Sequence, residues 1–322
     1  MTIRGWLNPR RTATGLDGEV AVIGSLRFGI TVLAVGLLTL AACYAGGRYV
    51  QTVVSIGCAY IVSALGYNLV LGYARQMAFG HAGLMAAGAY SFAILQAHQV
   101  IGVVAFVSAV VVSAFLAFIV GVGVLRTRHL YLGIVTLAFA EAVIVVLNVW
   151  PETHGENGIS ASLLGHDEYY LAISVTIVAL LLADRLVRSH FGRAMLMVSQ
   201  EGPAAAMGVS VSGTRVFAFV CSGIFGGAGG VLMAAALLYI TPSDFSSELT
   251  LLLLTMIVIG GLASVWGTVI GAGLLTALPQ VLSVSLQLQA VFYGAALFLV
   301  LVFRPRGLVS TMELLGLQRH RR

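Results

Sequence analysis

The sequence predicts an all-α, polytopic integral membrane protein with about ten transmembrane helices. Of the 322 residues, 59% are hydrophobic and only 9% are charged, whereas soluble domains carry about 25% charged residues. The apolar residues lie in runs close to the roughly 20 residues that a bilayer-spanning helix requires. These two observations exclude an ordinary soluble protein, and they leave little chain for a separate soluble domain.

The apolar runs give the predicted spans in chain order. Those that predict one span each are 28–43, 50–71, 78–97, 101–125, 130–149, 169–187, 215–240 and 287–303. A longer run, 249–282, is interrupted by glycines, and its first part of about 14 residues would extend only about 21 Å as a helix, short of the roughly 30 Å apolar core of a bilayer. It predicts two short spans, which makes ten in all, or a re-entrant hairpin beside eight spans.

Charge predicts the orientation of these spans. With spans alternating, all basic connections except Arg48 fall on one side, and the acidic connections 151–168 and 241–248 fall on the other. Because arginine is enriched in cytoplasmic loops, we expect both termini to be cytoplasmic. The expected organisation is a cytoplasmic N-terminal segment (1–26), a transmembrane domain (27–303) with a long cytoplasmic connection (188–214), and a basic cytoplasmic tail (304–322).

Several function classes lack the residues that they need. The formal net charge of +5 comes from arginines scattered between apolar runs, so it does not predict a nucleic-acid partner. The sequence contains no lysine, which rules out the lysine-bearing P-loop motif for ATP. No G-x-S-x-G or H-E-x-x-H motif is present, the cysteines have no paired spacing, and the acids near His154 have no fixed ligand geometry. We therefore predict no catalytic residue, cofactor or metal site.

The connection 188–214 predicts a short defined helix in the cytoplasm. A helical piece is followed by Glu201, and then Pro203 and Gly208 bracket the segment that contains Ala204, Ala205 and Met207. Proline suits the first position of a helix and glycine its C-terminal cap. A simple tether would not need such capping, although a plain loop helix at the membrane interface is the alternative.

Glu141 lies near the middle of the predicted span 130–149. An acidic residue there costs on the order of 3 kcal/mol on insertion scales, so it should face protein or water. Asn148 shares its helix face. One interpretation is a translocation-pathway or gating residue, and the other is a buried structural partner for Arg75, His81 or a backbone group.

Glycines surround the polar residues Asn68, Gln76 and His81. This pattern predicts broken or half-length helices at membrane depth, which is tolerated only where the backbone is buried in protein or lines a cavity. Such breaks often form substrate sites, although a lone histidine beside glycines, such as His81, is more often a packing residue. G-x-x-x-G pairs occur at 223–227, 226–230 and 267–271, and they predict close helix packing, either within the chain or against a partner.

Several segments resemble, in chain order, the motifs of one family. They are GYARQMAFGHAGLMAAGAY (72–90), LGIVTLAFAEAVIVVLNVWPETHGENGI (132–159), EGPAAAMGV (201–209), VIGGLASVWGTVIGA (258–272) and FRPRGL (303–308). The family is that of the permease subunits of bacterial branched-chain amino acid ABC importers, the LivM and LivH type. Segment 132–159 and the long N-terminus are most similar to the LivM type.

The resemblance implies a function and a set of partners. The chain would be one permease subunit in the bacterial inner membrane, paired with a LivH-like subunit, with cytoplasmic ABC ATPase subunits, and with a periplasmic or lipid-anchored solute-binding protein. Branched-chain or other neutral amino acids, urea and short amides are the implied solutes, carried by alternating access. The segment Glu201–Gly208 would couple the chain to the ATPase.

An ion-coupled secondary transporter of small polar solutes is the alternative from a different class. Such a transporter normally needs ionisable groups inside the membrane, and Glu141 is the only carboxylate well inside a predicted span.

Overall fold

The structure is a computed structural model that describes residue 36 and residues 47–124, 129–161, 168–198 and 210–282. The predicted spans 28–43 and 287–303, the terminal segments 1–26 and 304–322, and the capped segment that includes Glu201 and Gly208 lie outside these residues.

The described chain is almost entirely helical. Its α-helices are α1 (Gly47–Asn68), α2 (His81–Ala97), α3 (Gly102–Val124), α4 (His129–Val149), α5 (Glu168–Arg188), α6 (His190–Val198), α7 (Val211–Leu237), α8 (Ser247–Gly260) and α9 (Val265–Leu282). A π-helical turn, Leu69–Tyr73, continues α1, and short 3-10 turns cover Pro151–Thr153, Gly155–Asn157 and Pro242–Phe245. Two strands of two residues each, β1 (Ile159–Ser160) and β2 (Tyr239–Ile240), pair with each other.

Within the described ranges, six helical segments are long and apolar enough to cross a membrane. They are Gly47–Tyr73, Gly102–Gly123, Tyr131–Val149, Tyr169–Arg188, Val211–Leu237 and Pro242–Gly260. The helix Val265–Leu278 is apolar but shorter, as is the 17-residue α2. The protein is therefore an all-α, multi-pass membrane protein, as the composition predicts.

Helix α7 lies at the centre of the bundle, where it packs against α1, α2 and α3. Its glycines make this possible. A methyl group on Gly230 would overlap the carbonyl oxygen of Met85 in α2, and one on Gly223 would overlap Ala117 in α3. Gly260 and Gly267 bring α8 and α9 together in the same way. The G-x-x-x-G pairs thus pack helices of this one chain against each other, which settles the alternative that the sequence left open.

The chain is interrupted where the glycines around Asn68 and His81 predict. After the π-helical turn, residues 75–80 are non-helical, and α2 begins at His81 with Gly80 at its N-cap. We call residues 74–80 the first break. The run 249–282 divides into α8 and α9, an antiparallel pair joined by residues 261–264, which we call the second break.

The connections predicted to carry acidic residues lie on the same side of the bundle. Strand β1, in the connection after α4, pairs antiparallel with β2, in the connection after α7. Helix α2 contacts β2 from near its middle, since Tyr90 donates a hydrogen bond to the carbonyl oxygen of Ile240 at 3.5 Å. The alternation of spans predicted from charge places these connections together in the same way.

Candidate functional site

His81 is enclosed at the start of α2, where its side chain contacts two other helices, α1 and α7. Its side chain is 3% exposed. The ring nitrogens Nε2 and Nδ1 lie 2.9 Å from Ser63 Oγ in α1 and 3.1 Å from Ser222 Oγ in α7. Its ring stacks on Tyr67 with centroids 5.0 Å apart. Both ring nitrogens are therefore satisfied inside the bundle, which is the arrangement of a packing residue.

Tyr67 and two threonines hold the backbone of the first break. Tyr67 donates a hydrogen bond to the carbonyl oxygen of Ala78 at 2.6 Å. The hydroxyl of Thr136 in α4 accepts one from the backbone N–H of Phe79, and the hydroxyl of Thr250 in α8 accepts one from that of Ala82. These side chains replace the missing helical partners of a buried, non-helical segment.

Asn68 connects the end of α1 to the second break. It is 1% exposed, and its amide nitrogen donates to the carbonyl oxygen of Ser264 at 3.2 Å and to the hydroxyl of Thr268 at 2.8 Å. Its amide oxygen accepts from the backbone N–H of Ala263 at 3.1 Å. Gly72 permits this approach, because a methyl group there would overlap Asn68 and Ala263.

Gln76 lies in the first break and differs from Asn68 and His81. Its side chain is 1% exposed, yet neither its amide nitrogen nor its amide oxygen has a hydrogen-bond partner among the residues that the structure describes. Its neighbours Arg75 and Met77 are both exposed. Such an unpaired buried amide is unfavourable by about 1–3 kcal/mol.

Glu141 lies on the exposed surface of α4, and so does Asn148 two turns further along. No hydrogen bond or ion pair joins Glu141 to a described residue. It is therefore not the buried partner of Arg75 or His81 that the sequence left as an alternative. The carboxylate is exposed on the surface of this chain, near the middle of a helical segment that is long enough to span a membrane.

The five candidate residues thus fall into three groups. Asn68 and His81 are buried and fully hydrogen-bonded, Gln76 is buried and unpaired, and Glu141 and Asn148 are exposed on one helix face. Four residues of the site are not predicted from the sequence: Tyr67, Thr136, Thr250 and Ser264. Hydroxyl groups inside apolar runs next to a glycine-rich break were the available signal, since a buried break needs side-chain partners.

Helix α6 comes before the capped segment in the chain. It contacts helix α7 and the π-helical turn that precedes the first break. It follows α5 after a bend at Ser189, and Met195 is fully buried. Phe191 stacks on Phe217 of α7 with centroids 4.5 Å apart, and α6 also contacts the π-helical turn 69–73. The helical piece predicted at the start of 188–214 is confirmed.

A bundle of membrane-length helices, built around two buried helix breaks, is the architecture of a polytopic α-helical transport protein. A family model described as the permease component of branched-chain amino acid transport systems matches residues 49–301. The chain belongs to this family of membrane permeases.

Curated relatives agree with this assignment. The chain is 30% identical to the high-affinity branched-chain amino acid transport system permease protein LivM of Salmonella typhimurium, over 78% of this chain and 67% of the relative. It is 28% identical to LivM of Escherichia coli K12, over 94% of this chain and 78% of the relative. Identity to LivH of Escherichia coli K12 is 26%, over 81% of this chain and 94% of the relative. No solved structure is significantly similar to the chain.

Proposed function

We propose that this chain is a permease subunit of an ATP-driven importer that carries branched-chain or other neutral amino acids across the bacterial inner membrane by alternating access. The family match over residues 49–301 is the observation that carries the proposal. The secondary transporter is not favoured, because the matching family model and the curated relatives are those of branched-chain amino acid transport permeases.

The proposed complex contains a second permease subunit. The relatives of this chain include both LivM and LivH permease proteins, and the greater similarity to LivM makes a LivH-like chain the expected partner. Cytoplasmic ATPase subunits and a periplasmic or lipid-anchored binding protein complete the proposal. The external connections 151–168 and 241–248, which β1 and β2 hold together, would meet the binding protein.

The proposed organisation keeps ten spans and both termini in the cytoplasm. The segment 203–207, with Glu201 before it and Gly208 after it, would sit in a groove of the ATPase. Helix α6 supports this assignment, since it connects that segment with α7 and with the π-helical turn before the first break. Movement of the ATPase would thereby reach the breaks through packed helices.

The proposed pathway combines the polar residues of the breaks with the exposed face of α4. Gln76 lies in the first break, Asn68 and His81 lie in the helices on either side of it, and Glu141 and Asn148 line the face. In this arrangement Asn68 and His81 act by positioning the broken segments, because their polar atoms are already hydrogen-bonded within the chain.

Reconstitution tests the function. Proteoliposomes that contain both permease subunits, the ATPase subunits and the binding protein should accumulate radiolabelled L-leucine only with ATP, and omission of this chain should abolish uptake. Uptake by this chain alone, driven by a proton or sodium gradient without ATP, would overturn the proposal. Calorimetric titration of the binding protein with amino acids, urea and short amides would identify the solute.

Coupling is tested in the same liposomes with Ala204→Trp. The bulky ring should separate the two activities, so that ATP hydrolysis continues while L-leucine uptake falls about tenfold or more, a change equivalent to about 1.4 kcal/mol. Ala204→Ser keeps the side chain small and is the matched control with normal uptake. Normal uptake by the Trp variant in fully assembled complexes would remove residue 204 from the coupling contact.

A further inference from the structure

We propose that Asp184 is a positioning residue of the transport cycle. It holds the corner between α5 and α6 against the π-helical turn 69–73, so that the coupling segment and the first break move together. The inference rests on the proposed function for the transport cycle itself. Its structural basis is independent of that function and consists of a buried charged residue beside the π-helical turn.

The corner between α5 and α6 is a tight bend. Only Ser189 separates the two helices, and its hydroxyl donates a hydrogen bond to the carbonyl oxygen of Leu186 at 2.6 Å. Gly192 has no room for a methyl group, because one would overlap the carbonyl oxygen of Val187. The bend therefore leaves α6 little freedom to move independently of the end of α5.

Helix α6 is anchored on the bundle beside the first break. Met195 and Val198 are buried, and α6 contacts both α7 and the π-helical turn 69–73. The proposed coupling segment follows α6 in the chain. A force on that segment would therefore reach α6, and with it the corner, before any other described helix that precedes it.

Asp184 lies one turn before the end of α5, on the buried side of the helix. The residue is 8% exposed, and its Oδ1 accepts a hydrogen bond from Nε of Arg188 at 2.8 Å. Arg188 itself is exposed at the corner, so the pair runs from the protein surface into the bundle. Replacing a buried ion pair with apolar residues is often neutral or stabilising. Stability alone therefore gives no reason for a carboxylate at this position.

Tyr73 is the side chain of the π-helical turn that this pair meets. It is 3% exposed, and Asp184 and Arg188 both act electrostatically on its hydroxyl group. Tyr73 is also the last residue of the turn, so that Ala74 after it begins the first break. The carboxylate thus lies beside the point at which the helical course of the chain ends.

The π-helical turn is suited to pass on a displacement. Its backbone bonds span more residues than α-helical ones, since the N–H of Ala74 donates to the carbonyl oxygen of Leu69 at 3.0 Å and that of Gln76 to Val70 at 2.9 Å. Single π-helical turns are frequent at functional sites. A charge that holds the corner against Tyr73 makes this turn follow α6, where an apolar contact alone would let the two slide.

The amount of L-leucine taken up per ATP hydrolysed by the full reconstituted complex gives the first test. Asp184→Asn keeps the size of the side chain and removes its charge, and it should lower this ratio about 2- to 30-fold, as for changes along other coupled networks. Asp184→Glu keeps the charge and should retain a higher ratio. Arg185→Gln removes the neighbouring exposed charge and is the matched control with a normal ratio. A normal ratio for Asp184→Asn would overturn the inference.

A double-mutant cycle tests the contact between Asp184 and Tyr73. Tyr73→Phe should also lower the ratio, and its addition to Asp184→Asn should lower the ratio little further, because either change breaks the same contact. Effects that multiply in the double variant would show that the two residues act separately, and they would overturn the inference.

Hydrogen exchange tests the same contact without transport. In the purified full-length chain, Asp184→Asn should speed backbone exchange of residues 69–80 severalfold, whereas exchange of α3 should not change. Faster exchange in α5 and α6 alone would show a merely local role and overturn the inference. If Asp184→Asn loosens the whole bundle, Tyr73→Phe takes its place, and unchanged exchange of α6 in that variant would overturn the inference.

Failure of the proposed function would be visible separately. Absence of ATP-dependent L-leucine uptake by the wild-type complex would contradict that function, because hydrogen exchange would still decide whether Asp184 holds the corner against the π-helical turn.

Discussion

Gln76 gives the clearest prediction at the scale of single residues. Its buried amide has no hydrogen-bond partner within the described part of the chain, so Gln76→Leu removes an unsatisfied group while it keeps much of the volume. We expect the free energy of unfolding to rise by about 1–3 kcal/mol, which should raise the thermal midpoint of the purified protein in detergent. If Gln76 pairs in another state of the transport cycle, uptake should fall in the same variant.

A matched control for Gln76→Leu is Gln96→Leu at the outer end of α2, where the side chain is only partly buried. Changes at such positions usually alter stability by no more than about 0.5 kcal/mol. A lower thermal midpoint for Gln76→Leu than for the wild type would mean that the amide stabilises this state after all.

The close packing of α7 against α2 predicts that a larger side chain between them lowers the stability of the protein. Gly230 faces the carbonyl oxygen of Met85 without room for a methyl group, so Gly230→Ala must push α2 and α7 apart. We expect a loss of about 1–3 kcal/mol, as for other overpacked sites, measured as a lower thermal midpoint.

Gly273 in α9 is the matched control, because no atom lies within 4 Å of a methyl group built there. Gly273→Ala should be neutral or stabilising by up to about 1 kcal/mol, since alanine favours helix over glycine. Equal midpoints for the two alanine variants would contradict the tight α2–α7 contact.

Elements differ in how far the sequence predicts them. Long apolar runs define most helices because burial in a membrane leaves few other choices, and the glycines around Asn68 mark the first break correctly. The sequence could not place Glu141, since the helical period relates it to Asn148 without saying which neighbour covers that face. Nor could it pair Asn68 with Ser264, because the contact joins residues far apart in the chain.

At the scale of the whole molecule, the two breaks behave as one unit. Asn68 ties the second break to the end of α1, and Thr136 and Thr250 tie the first break and the start of α2 to α4 and α8. Helix α6 packs beside this unit. Under the proposed coupling, a displacement that enters through α6 would reach these breaks through packed helices.

The side of the membrane on which each connection lies gives the last prediction. Because β1 pairs with β2, Glu152→Cys and Ser243→Cys should be accessible from the same side, and the arginine distribution predicts that this side is the outside. In a background without Cys43, Cys58 and Cys221, a membrane-impermeant maleimide should label both in intact cells. Arg193→Cys, in α6, should be labelled only after permeabilisation, and the cysteine-free protein should never be labelled. Labelling of Arg193→Cys in intact cells would reverse the orientation, whereas labelling of Glu152→Cys and Ser243→Cys from opposite sides would contradict the strand pairing itself.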